Sequence, residues 1–316
     1  MSAGTVVVLR ALGLGDLCTA LPALRGLRRW LPDHDLVLAA PAWQAPIAAA
    51  AGVDRVVDVA GLQPLPSGLG GVDVAVNLHG CGPTSSAHLA DLAPGRLLAF
   101  RHDDVPATCD GPPWRSDEHE IDRWCRLLAE CGVDADPDDG ALPPPADLGD
   151  APATGPIVVH PGAAAPGRRW PASRFARVVR QLHAHGHTVV LTGSAGERAL
   201  CDLVLREAAC DDDDPAPRPR SLAGHTDLVG LWSLLASARA LLSNDTGVSH
   251  LAAALATPSV VLFGPTPPAR WGPRSHGPQE VLWKGRRGDP HSRLLDPGLA
   301  AIGVDEVLDR LDRVIR

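Results

Sequence analysis

The chain of 316 residues is longer than one ordinary domain, and its 45% hydrophobic and 21% charged residues are typical of a soluble globular protein. No stretch approaches the roughly 18 consecutive apolar residues that a membrane-spanning helix needs, which disfavours an integral membrane protein. The formal net charge of −8 disfavours nucleic acid as the main partner, because phosphate binding needs a basic surface.

The amino terminus and the cysteines favour a cytoplasmic location. The segment MSAGTVVVLRAL has no basic region before its apolar run and no small-residue cleavage site after it, so it predicts a first β-strand rather than an export signal. The seven cysteines are an odd number without Cys-x-x-Cys spacing, which disfavours a disulfide framework and a zinc site. We expect no bound metal and no cofactor.

The first half of the chain predicts alternating strands and helices. Apolar runs predict strands at residues 5–10, 35–40, 55–59, 73–78 and 96–100. Between the first two runs, apolar residues recur at helical spacing: Leu14, Leu17, Cys18, Leu21, Leu24 and Leu27. A second amphipathic pattern ends at Gly132, which predicts a helix with a C-terminal glycine. Strands that are apolar on both faces predict a parallel sheet covered by helices.

The same alternation restarts after a segment rich in proline and glycine. Residues 141–155 predict a linker between residues 1–140 and residues 156–316, and the acidic, proline-containing residues 211–220 predict a surface loop. Further strands and helices follow, ending in a helix at residues 304–315 that we assign to neither domain. The fold class is therefore α/β, with two doubly wound, Rossmann-like domains whose strand ends face a central cleft.

The first predicted strand runs into LRALGLGDLCTALPAL. A dinucleotide fingerprint needs a third glycine where Cys18 stands, so a nicotinamide site is not predicted. Gly13 and Gly15 instead predict a tight turn that brings Asp16 to the start of a helix. Asp16 is then either a helix N-cap or a general base, and the helix N-terminus is expected to lower the pKa of its carboxyl group.

Two segments of the second half predict nucleotide contacts. The segment HPGAAAPGRRWPASRF follows a strand and brings arginines to a strand end, where Arg168 either binds a diphosphate or lies in a solvated loop. The segment LTGSAGERAL places Glu197 in the first turn of a helix. Glu197 either complements the helix dipole or accepts hydrogen bonds from ribose hydroxyl groups.

A third segment, LLSNDTGVSHLAAAL, joins a strand directly to a helix. We expect Asp245, Thr246 and Gly247 to form the first turn of that helix and to offer unpaired N–H groups to a phosphate. The alternative is that Asn244 or Asp245 simply caps the helix. His250 lies one turn further along and is predicted to be a packed residue that supports this turn.

Taken together, GLGDLCTALPALRGL, HPGAAAPGRRWPASRFA, GSAGER and SNDTGVSHLAAALATPSVVLFGPT resemble the heptosyltransferase-type enzymes of glycosyltransferase family 9. The four segments occur in the family's order and span nearly the whole chain. The resemblance implies the GT-B fold, with an acceptor-side N-terminal domain and a nucleotide-sugar-binding C-terminal domain. It also implies inverting transfer of a sugar from a nucleotide diphosphate, commonly ADP-heptose, without a metal.

The resemblance also implies roles for individual residues. Asp16 falls at the position of the base that activates the acceptor hydroxyl, and Arg168 at that of the diphosphate-binding basic residue. Glu197 falls at the position of the ribose-binding glutamate. Asp245, Thr246 and Gly247 fall where the family binds phosphates and sugar.

The acceptor is the least defined partner. His79 stands where many relatives have arginine, and the family's basic acceptor-binding residues are not recognisable in the N-terminal domain. Gly15, His79 and His250 are therefore assigned only to the acceptor side or to support of the site. The acceptor is a glycan or a small molecule, and peripheral membrane contact is left open. The alternative functions are a nucleotide-sugar epimerase or hydrolase of the same fold, or an inactive protein that binds a sugar nucleotide.

Overall fold

The computed structural model describes residues 4–66, 68–69, 71–145, 148, 155–210 and 217–316. The chain divides into two compact units, Met1–Leu142 and Pro143–Arg316, called unit 1 and unit 2 below. Most of the predicted linker at 141–155 lies outside the described residues, as do residues 211–216 of the predicted acidic loop. Within the described residues, no helix has both the length and the apolar character needed to cross a membrane.

Unit 1 contains one sheet of five parallel strands in the order β3-β2-β1-β4-β5. The strands are β1 (Thr5–Leu9), β2 (Asp35–Ala40), β3 (Arg55–Asp58), β4 (Val74–Asn77) and β5 (Arg96–Leu98). The helices are α1 (Leu14–Trp30), α2 (Ala45–Ala50), α3 (Thr84–Ala90) and α4 (Glu120–Glu130). In β1, Val7 and Val8 are both fully buried, although their side chains point to opposite faces, as expected for a central parallel strand.

Unit 2 contains six parallel strands in the order β11-β10-β9-β6-β7-β8. The strands are β6 (Ile157–His160), β7 (Val189–Leu191), β8 (Arg220–Ser221), β9 (Ala240–Asn244), β10 (Ser259–Leu262) and β11 (Gln279–Leu282). The helices are α5 (Ala172–Ala184), α6 (Arg198–Ala208), α7 (Leu228–Ala236), α8 (Gly247–Ala254), α9 (Pro268–Trp271), α10 (Pro297–Ala300) and α11 (Val304–Ile315). The predicted pair of parallel sheets is confirmed.

Both sheets reverse their strand order at one place. In unit 1 the reversal lies between β1 and β4, and in unit 2 it lies between β6 and β9. In open α/β sheets, ligands bind outside the carboxyl ends of the strands at such a reversal. The residues that follow β1, β4, β6 and β9 are therefore the first place to look for a site.

Helices α9 and α10 and three further elements of unit 2 were not predicted from the sequence. The edge strands β8 and β11 contain polar residues, so they lack the continuous apolar run that identifies the central strands. The third element, helix α7, begins where the Asp227 carboxylate accepts a hydrogen bond from the Gly230 N–H at 2.8 Å. This Asp227 side chain is an N-cap, a signal that is present in the sequence.

The last helix, α11, packs on unit 2. Its buried side chains Val307, Leu311 and Val314 belong to the hydrophobic core that also contains residues of α5, β9 and β10. The apolar stripe of α11 is matched by acidic and basic residues on its exposed face, the pattern of an amphipathic helix at the edge of a core. This placement answers a question that the sequence left open.

We expect Leu311→Ala to lower the free energy of unfolding by about 2–5 kcal/mol, because truncation of a fully buried leucine loses apolar burial and leaves a cavity. Urea unfolding followed by circular dichroism measures the change. Arg313→Ala, an exposed position on the same helix, is the matched control and should change stability by less than about 0.5 kcal/mol. Equal effects of the two substitutions would contradict the packing of α11 described here.

Candidate functional site

Asp16 lies in the first turn of α1, just beyond the carboxyl end of β1. The helix begins at Leu14 with Gly13 as N-cap, and Asp16 Oδ2 accepts a hydrogen bond from the Gly13 N–H at 3.1 Å. Two sequence expectations are therefore wrong in detail. Asp16 is the third residue of the helix rather than its N-cap, and Gly15 lies inside the helix rather than in a turn before it.

A buried arginine holds the other side of the Asp16 carboxylate. Arg10 follows β1 and is fully buried. Its Nη2 lies 3.3 Å from Asp16 Oδ1, and its Nε donates to the Asp16 carbonyl oxygen at 3.0 Å. The same Nη2 also donates to Thr19 Oγ1 at 3.0 Å and to Glu120 Oε1 at 3.1 Å. Arg10 thus links the strand end, the first turn of α1 and the start of α4.

The environment of Asp16 raises the pKa of its carboxyl group. Burial is the largest cause, the positive charge of Arg10 opposes it, and the negative charge of Glu120 adds to it. The sequence predicts a lowered pKa for Asp16, and this prediction is wrong in direction, because the loss of hydration outweighs the favourable charges. A carboxylate with a raised pKa binds a proton more strongly, which favours a role as a general base.

His79 lies just beyond β4, the strand next to β1. Its backbone N–H donates to Asn77 Oδ1 at 3.0 Å, and Asn77 Nδ2 donates to the hydroxyl groups of Ser85 and Ser86 on α3. Burial, and then the charge of Arg10, lower the pKa of His79 to about 4, so its imidazole is neutral at pH 7. Its Nδ1 is buried and has no hydrogen-bond partner among the described residues.

In unit 2, the buried Asn244 connects the ends of two neighbouring strands. It is the last residue of β9, and its Nδ2 donates to the carbonyl oxygens of Pro161 and Gly162 at 2.8 and 3.1 Å. Its Oδ1 accepts from the Trp170 N–H at 3.0 Å. Asn244 is therefore not a helix cap, one of the two alternatives from the sequence. It fixes the loop that follows β6 against the end of β9.

The buried Asp245 forms an ion pair with the partly exposed Arg168 at the same strand ends. Arg168 Nη2 lies 2.8 Å from Asp245 Oδ2 and also donates to the Asp245 carbonyl oxygen at 2.5 Å. The Asp245 N–H donates to the Leu262 carbonyl oxygen at 3.0 Å, so Asp245 continues the hydrogen bonding of the sheet one residue beyond β9. The prediction that Asp245 lies in the first turn of the helix is therefore wrong. Burial raises the pKa of Asp245 to about 6, although Arg168 opposes that rise.

Helix α8 begins at Gly247, with Thr246 as its N-cap. Thr246 Oγ1 accepts a hydrogen bond from the Val248 N–H at 3.3 Å. The N–H groups of Thr246 and Gly247 donate to no described residue, which leaves two donors at a helix start. One turn further along, the buried His250 packs edge-to-face on Trp271 with ring centroids 5.1 Å apart. This packing is consistent with the predicted supporting role of His250.

Glu197 lies at the end of a short 3-10 turn, Ala195–Glu197, and immediately precedes α6. Its Oε2 accepts from the Ser194 N–H at 2.8 Å and from the Ser194 hydroxyl at 2.9 Å. The carboxylate lies against Gly162, where an added Cβ would come within 1.9 Å of Oε1. Glu197 therefore reaches the loop that follows β6, although it precedes the helix rather than lying in its first turn.

The structure brings some of the predicted residues together in each unit, whereas Glu197 contacts Gly162 and His250 contacts Trp271. In unit 2, Arg168 touches Asp245 directly, and Thr246 and Gly247 follow in the chain. In unit 1, the positive charge of Arg10 acts on both Asp16 and His79 and favours a lower pKa for each. Sequence reasoning missed Arg10 and Glu120. Arg10 is a charge at the end of an apolar strand, which is a usable signal, but Glu120 lies 110 positions later and nothing in the sequence connects the two.

Comparison with known proteins gives a consistent result. The family model of glycosyltransferase family 9 (heptosyltransferase) matches residues 113–292, more than half of the 316 residues. Lipopolysaccharide heptosyltransferase 2 of Salmonella typhimurium is 37% identical over 146 residues, 43% of this chain and 41% of the relative. The Escherichia coli K12 protein of the same name is 35% identical over 165 residues, 49% and 45%. The matched region thus spans less than half the length of these curated relatives.

Solved structures match over nearly the whole chain. E. coli ADP-heptose lps heptosyltransferase II has a TM-score of 0.80 and 24% identity, with 98% of both chains covered. A glycosyl transferase family 9 structure from Veillonella parvula DSM 2008 has a TM-score of 0.80 and 20% identity, with 100% of this chain and 98% of that chain covered. E. coli heptosyltransferase WaaC with ADP has a TM-score of 0.73 and 19% identity, covering 98% and 99%. These matches confirm the predicted GT-B fold.

The buried Asp245 carboxyl group makes stability depend on pH. Its folded-state pKa of about 6 lies above the ordinary value of 3.8, so between these values the folded chain holds a proton that the unfolded chain has released. The contribution of Asp245 to the free energy of unfolding should therefore fall as the pH rises from about 4 to about 6, by on the order of 1 kcal/mol per pH unit.

The measurement is urea unfolding at several pH values for the wild type and for Asp245→Asn. The variant should lose this falling component, whereas Asp309→Asn, an exposed carboxylate on α11, should keep the wild-type slope. Parallel curves for the wild type and Asp245→Asn would contradict the assignment.

Proposed function

The chain belongs to glycosyltransferase family 9, and from that membership we propose that it is an inverting glycosyltransferase. The proposed donor is a nucleotide-diphosphate sugar, ADP-heptose or a close analogue, and the proposed acceptor is a hydroxyl group of a glycan or a small molecule. The proposal rests on the Thr246 and Gly247 N–H groups, which donate to no described residue and follow the Arg168–Asp245 pair at the strand reversal of unit 2. The relatives include a lipopolysaccharide heptosyltransferase 2, an ADP-heptose lps heptosyltransferase II and heptosyltransferase WaaC with ADP, which supports the choice of donor.

The donor diphosphate is proposed to bind at the start of α8. The Thr246 and Gly247 N–H groups point away from the helix, where the helix dipole favours an anion. Arg168 adds a guanidinium group whose charge is partly balanced by Asp245, and its Nε has no partner among the described residues. Asp245 holds the guanidinium through Nη2, so that the arginine is oriented before any ligand arrives.

Glu197 is the proposed ribose contact. Ser194 donates two hydrogen bonds to Glu197 Oε2, and Oε1 is proposed to accept a hydrogen bond from a ribose hydroxyl group. Gly162 permits this placement, because any larger residue there would collide with the carboxylate. The Glu197 position thus depends on the loop that Asn244 holds.

Asp16 is the proposed base. The acceptor hydroxyl oxygen attacks the anomeric carbon as its proton passes to an Asp16 carboxylate oxygen. The bond from the anomeric carbon to the phosphate oxygen breaks, and its electron pair leaves with the diphosphate. Attack from the side opposite the leaving group inverts the anomeric centre. The positive charge of Arg168 and the α8 start would stabilise the charge that develops on the diphosphate, so the proposal invokes no metal and no cofactor.

The remaining predicted residues have lesser roles in this proposal. Gly15 lies in the first helical turn beside Asp16 and His250 supports the α8 start, whereas the neutral His79 is available to a hydroxyl of the acceptor. The proposal places the reaction in the cytoplasm, as expected from the sequence.

Membership in a glycosyltransferase family does not favour the epimerase, hydrolase or inactive alternatives. Incubation with donor alone separates them, since consumption at the rate of transfer would indicate an epimerase or a hydrolase.

ADP should bind without added metal, and Arg168→Ala should weaken that binding by about 10- to 100-fold, because the substitution removes a charge-assisted contact to the diphosphate. Isothermal titration with ADP, UDP and GDP measures the affinities. Arg177→Ala, an exposed arginine on α5, is the control and should bind ADP like the wild type. Failure of all three nucleotides to bind the wild type would overturn the proposed function.

Asp16→Asn should lower turnover by about 100-fold or more and leave ADP affinity unchanged, since the amide keeps the shape of the side chain but cannot take up the acceptor proton. Release of ADP from ADP-heptose, in the presence of an acceptor that supports transfer, measures turnover. Asp33→Asn, an exposed carboxylate, is the matched control. Wild-type turnover in Asp16→Asn would remove Asp16 from the mechanism.

A further inference from the structure

Two carboxylates share one buried guanidinium in unit 1. Arg10 is 0% exposed, and its Nη2 lies 3.3 Å from Asp16 Oδ1 and 3.1 Å from Glu120 Oε1. The side chain of Asp16 is 26% exposed and that of Glu120 only 12%. The exposed carboxylate is thus the one placed to meet a substrate, and the enclosed carboxylate is the one that competes with it for Arg10.

Glu120 is fixed more firmly than Asp16. Its Oε1 also accepts from Trp124 Nε1 at 3.1 Å, and its Oε2 pairs with Arg123. Trp124 is buried, and the Arg10 guanidinium lies over its ring, 4.8 Å from the centroid. Glu120 is the first residue of α4, where the helix dipole stabilises a negative charge. These contacts hold Glu120 and Arg10 together whether or not Asp16 takes part.

The aromatic residues around this pair pack on one another. Phe100 packs edge-to-face on Trp114 with ring centroids 5.1 Å apart, and Trp124 lies 6.0 Å from Phe100. Arg123 lies over the Trp114 ring, 4.4 Å from its centroid. The second arginine of the network is thus held from two sides, and the Glu120 carboxylate has little freedom to turn away from Arg10.

We propose that Glu120 is a positioning residue that acts on Asp16 through Arg10, and that it limits how much of the arginine's charge the Asp16 carboxylate receives. The inference rests on the proposed role of Asp16 as the base. With Glu120 present, Asp16 keeps one long contact to Nη2 and stays at the exposed edge of the network. Without it, Arg10 Nη2 loses its contact to Glu120 and more of the guanidinium charge acts on the Asp16 carboxylate, which weakens that carboxylate as a proton acceptor.

Other ionisable groups near Asp16 do not replace Glu120 in this role. His79 is neutral at pH 7, because its pKa is lowered to about 4. Burial raises the pKa of the Cys18 thiol, so Cys18 stays protonated. Arg123 reaches Asp16 only through Glu120. Among the described groups, Glu120 is therefore the negative charge that contributes to the raised pKa of Asp16.

The test is a carbon-13 NMR titration of the full-length chain labelled at its aspartate carboxyl carbons. The Asp16 signal is identified by its loss in Asp16→Asn. In Glu120→Gln, the midpoint of the Asp16 titration should move down by about one pH unit or more, because Arg10 then pairs with Asp16 alone. Glu118→Gln is the matched control: Glu118 pairs with Arg126 and not with Arg10, so the Asp16 midpoint should stay at the wild-type value.

An unchanged or raised midpoint in folded Glu120→Gln would overturn the proposal. A purely structural role for Glu120 predicts a lower melting temperature and an unchanged midpoint, so the two readouts separate the roles. If Glu120→Gln does not fold, Glu120→Asp keeps the charge but withdraws the carboxylate by one methylene group. Its Asp16 midpoint should also move down, by less, and a midpoint at or above the wild-type value would overturn the proposal.

This titration uses neither donor nor acceptor, so its outcome is independent of the proposed transfer reaction. If the Asp16 midpoint shifts down in Glu120→Gln but Asp16→Asn is still active, the positioning role of Glu120 is supported and the role of Asp16 as the base is excluded. The reverse result, an inactive Asp16→Asn enzyme with no shift in Glu120→Gln, would keep the base and remove the positioning role.

Discussion

Parallel pairing of the strands is the constraint on which both candidate sites depend. In a parallel sheet every strand delivers its carboxyl end to the same edge, so residues far apart in sequence meet there without any dedicated element to join them. β1 and β4 bring Arg10 and His79 together in this way, and β6 and β9 do the same for Arg168 and Asp245. The buried strands are apolar on both faces, which leaves their ends as the positions where polar groups can accumulate.

Each unit places an arginine at this edge, with different partners: Arg10 is buried and Arg168 is partly exposed. In unit 2, Arg168 has one carboxylate, Asp245, and nearly the whole pair is enclosed. In unit 1, Arg10 has two carboxylates, and a second arginine, Arg123, balances the extra negative charge. A buried charge is costly without a partner, so both arrangements are close to neutral. They differ in one further respect: in unit 2 the buried Arg168 Nε has no partner among the described residues, whereas in unit 1 the Asp16 carboxylate is partly exposed.

Much of this arrangement could be predicted from the sequence, because apolar runs and helical spacing report directly on burial. The central strands, the long helices and α11 were found in this way, and the segments around Asp16 and Asp245 carried the family resemblance. Side-chain hydrogen bonds between distant segments are harder to predict from the sequence. Asparagine before a helix commonly caps it, so the sequence predicts Asn244 as a candidate cap. Its amide nitrogen instead donates to backbone carbonyl oxygens of a loop more than 80 positions earlier in the chain. The pKa of Asp16 depends on burial and on Glu120, neither of which the local sequence shows.

The loop that follows β6 leaves no room for a side chain where Gly162 meets Glu197. Residue 162 must remain glycine for the Glu197 carboxylate to occupy its present place, since a methyl group there would come within 1.9 Å of Oε1. The neighbouring alanines at 163–165 carry no such restriction from Glu197. A library of variants in this loop should therefore randomise around residue 162 and keep that one position constant.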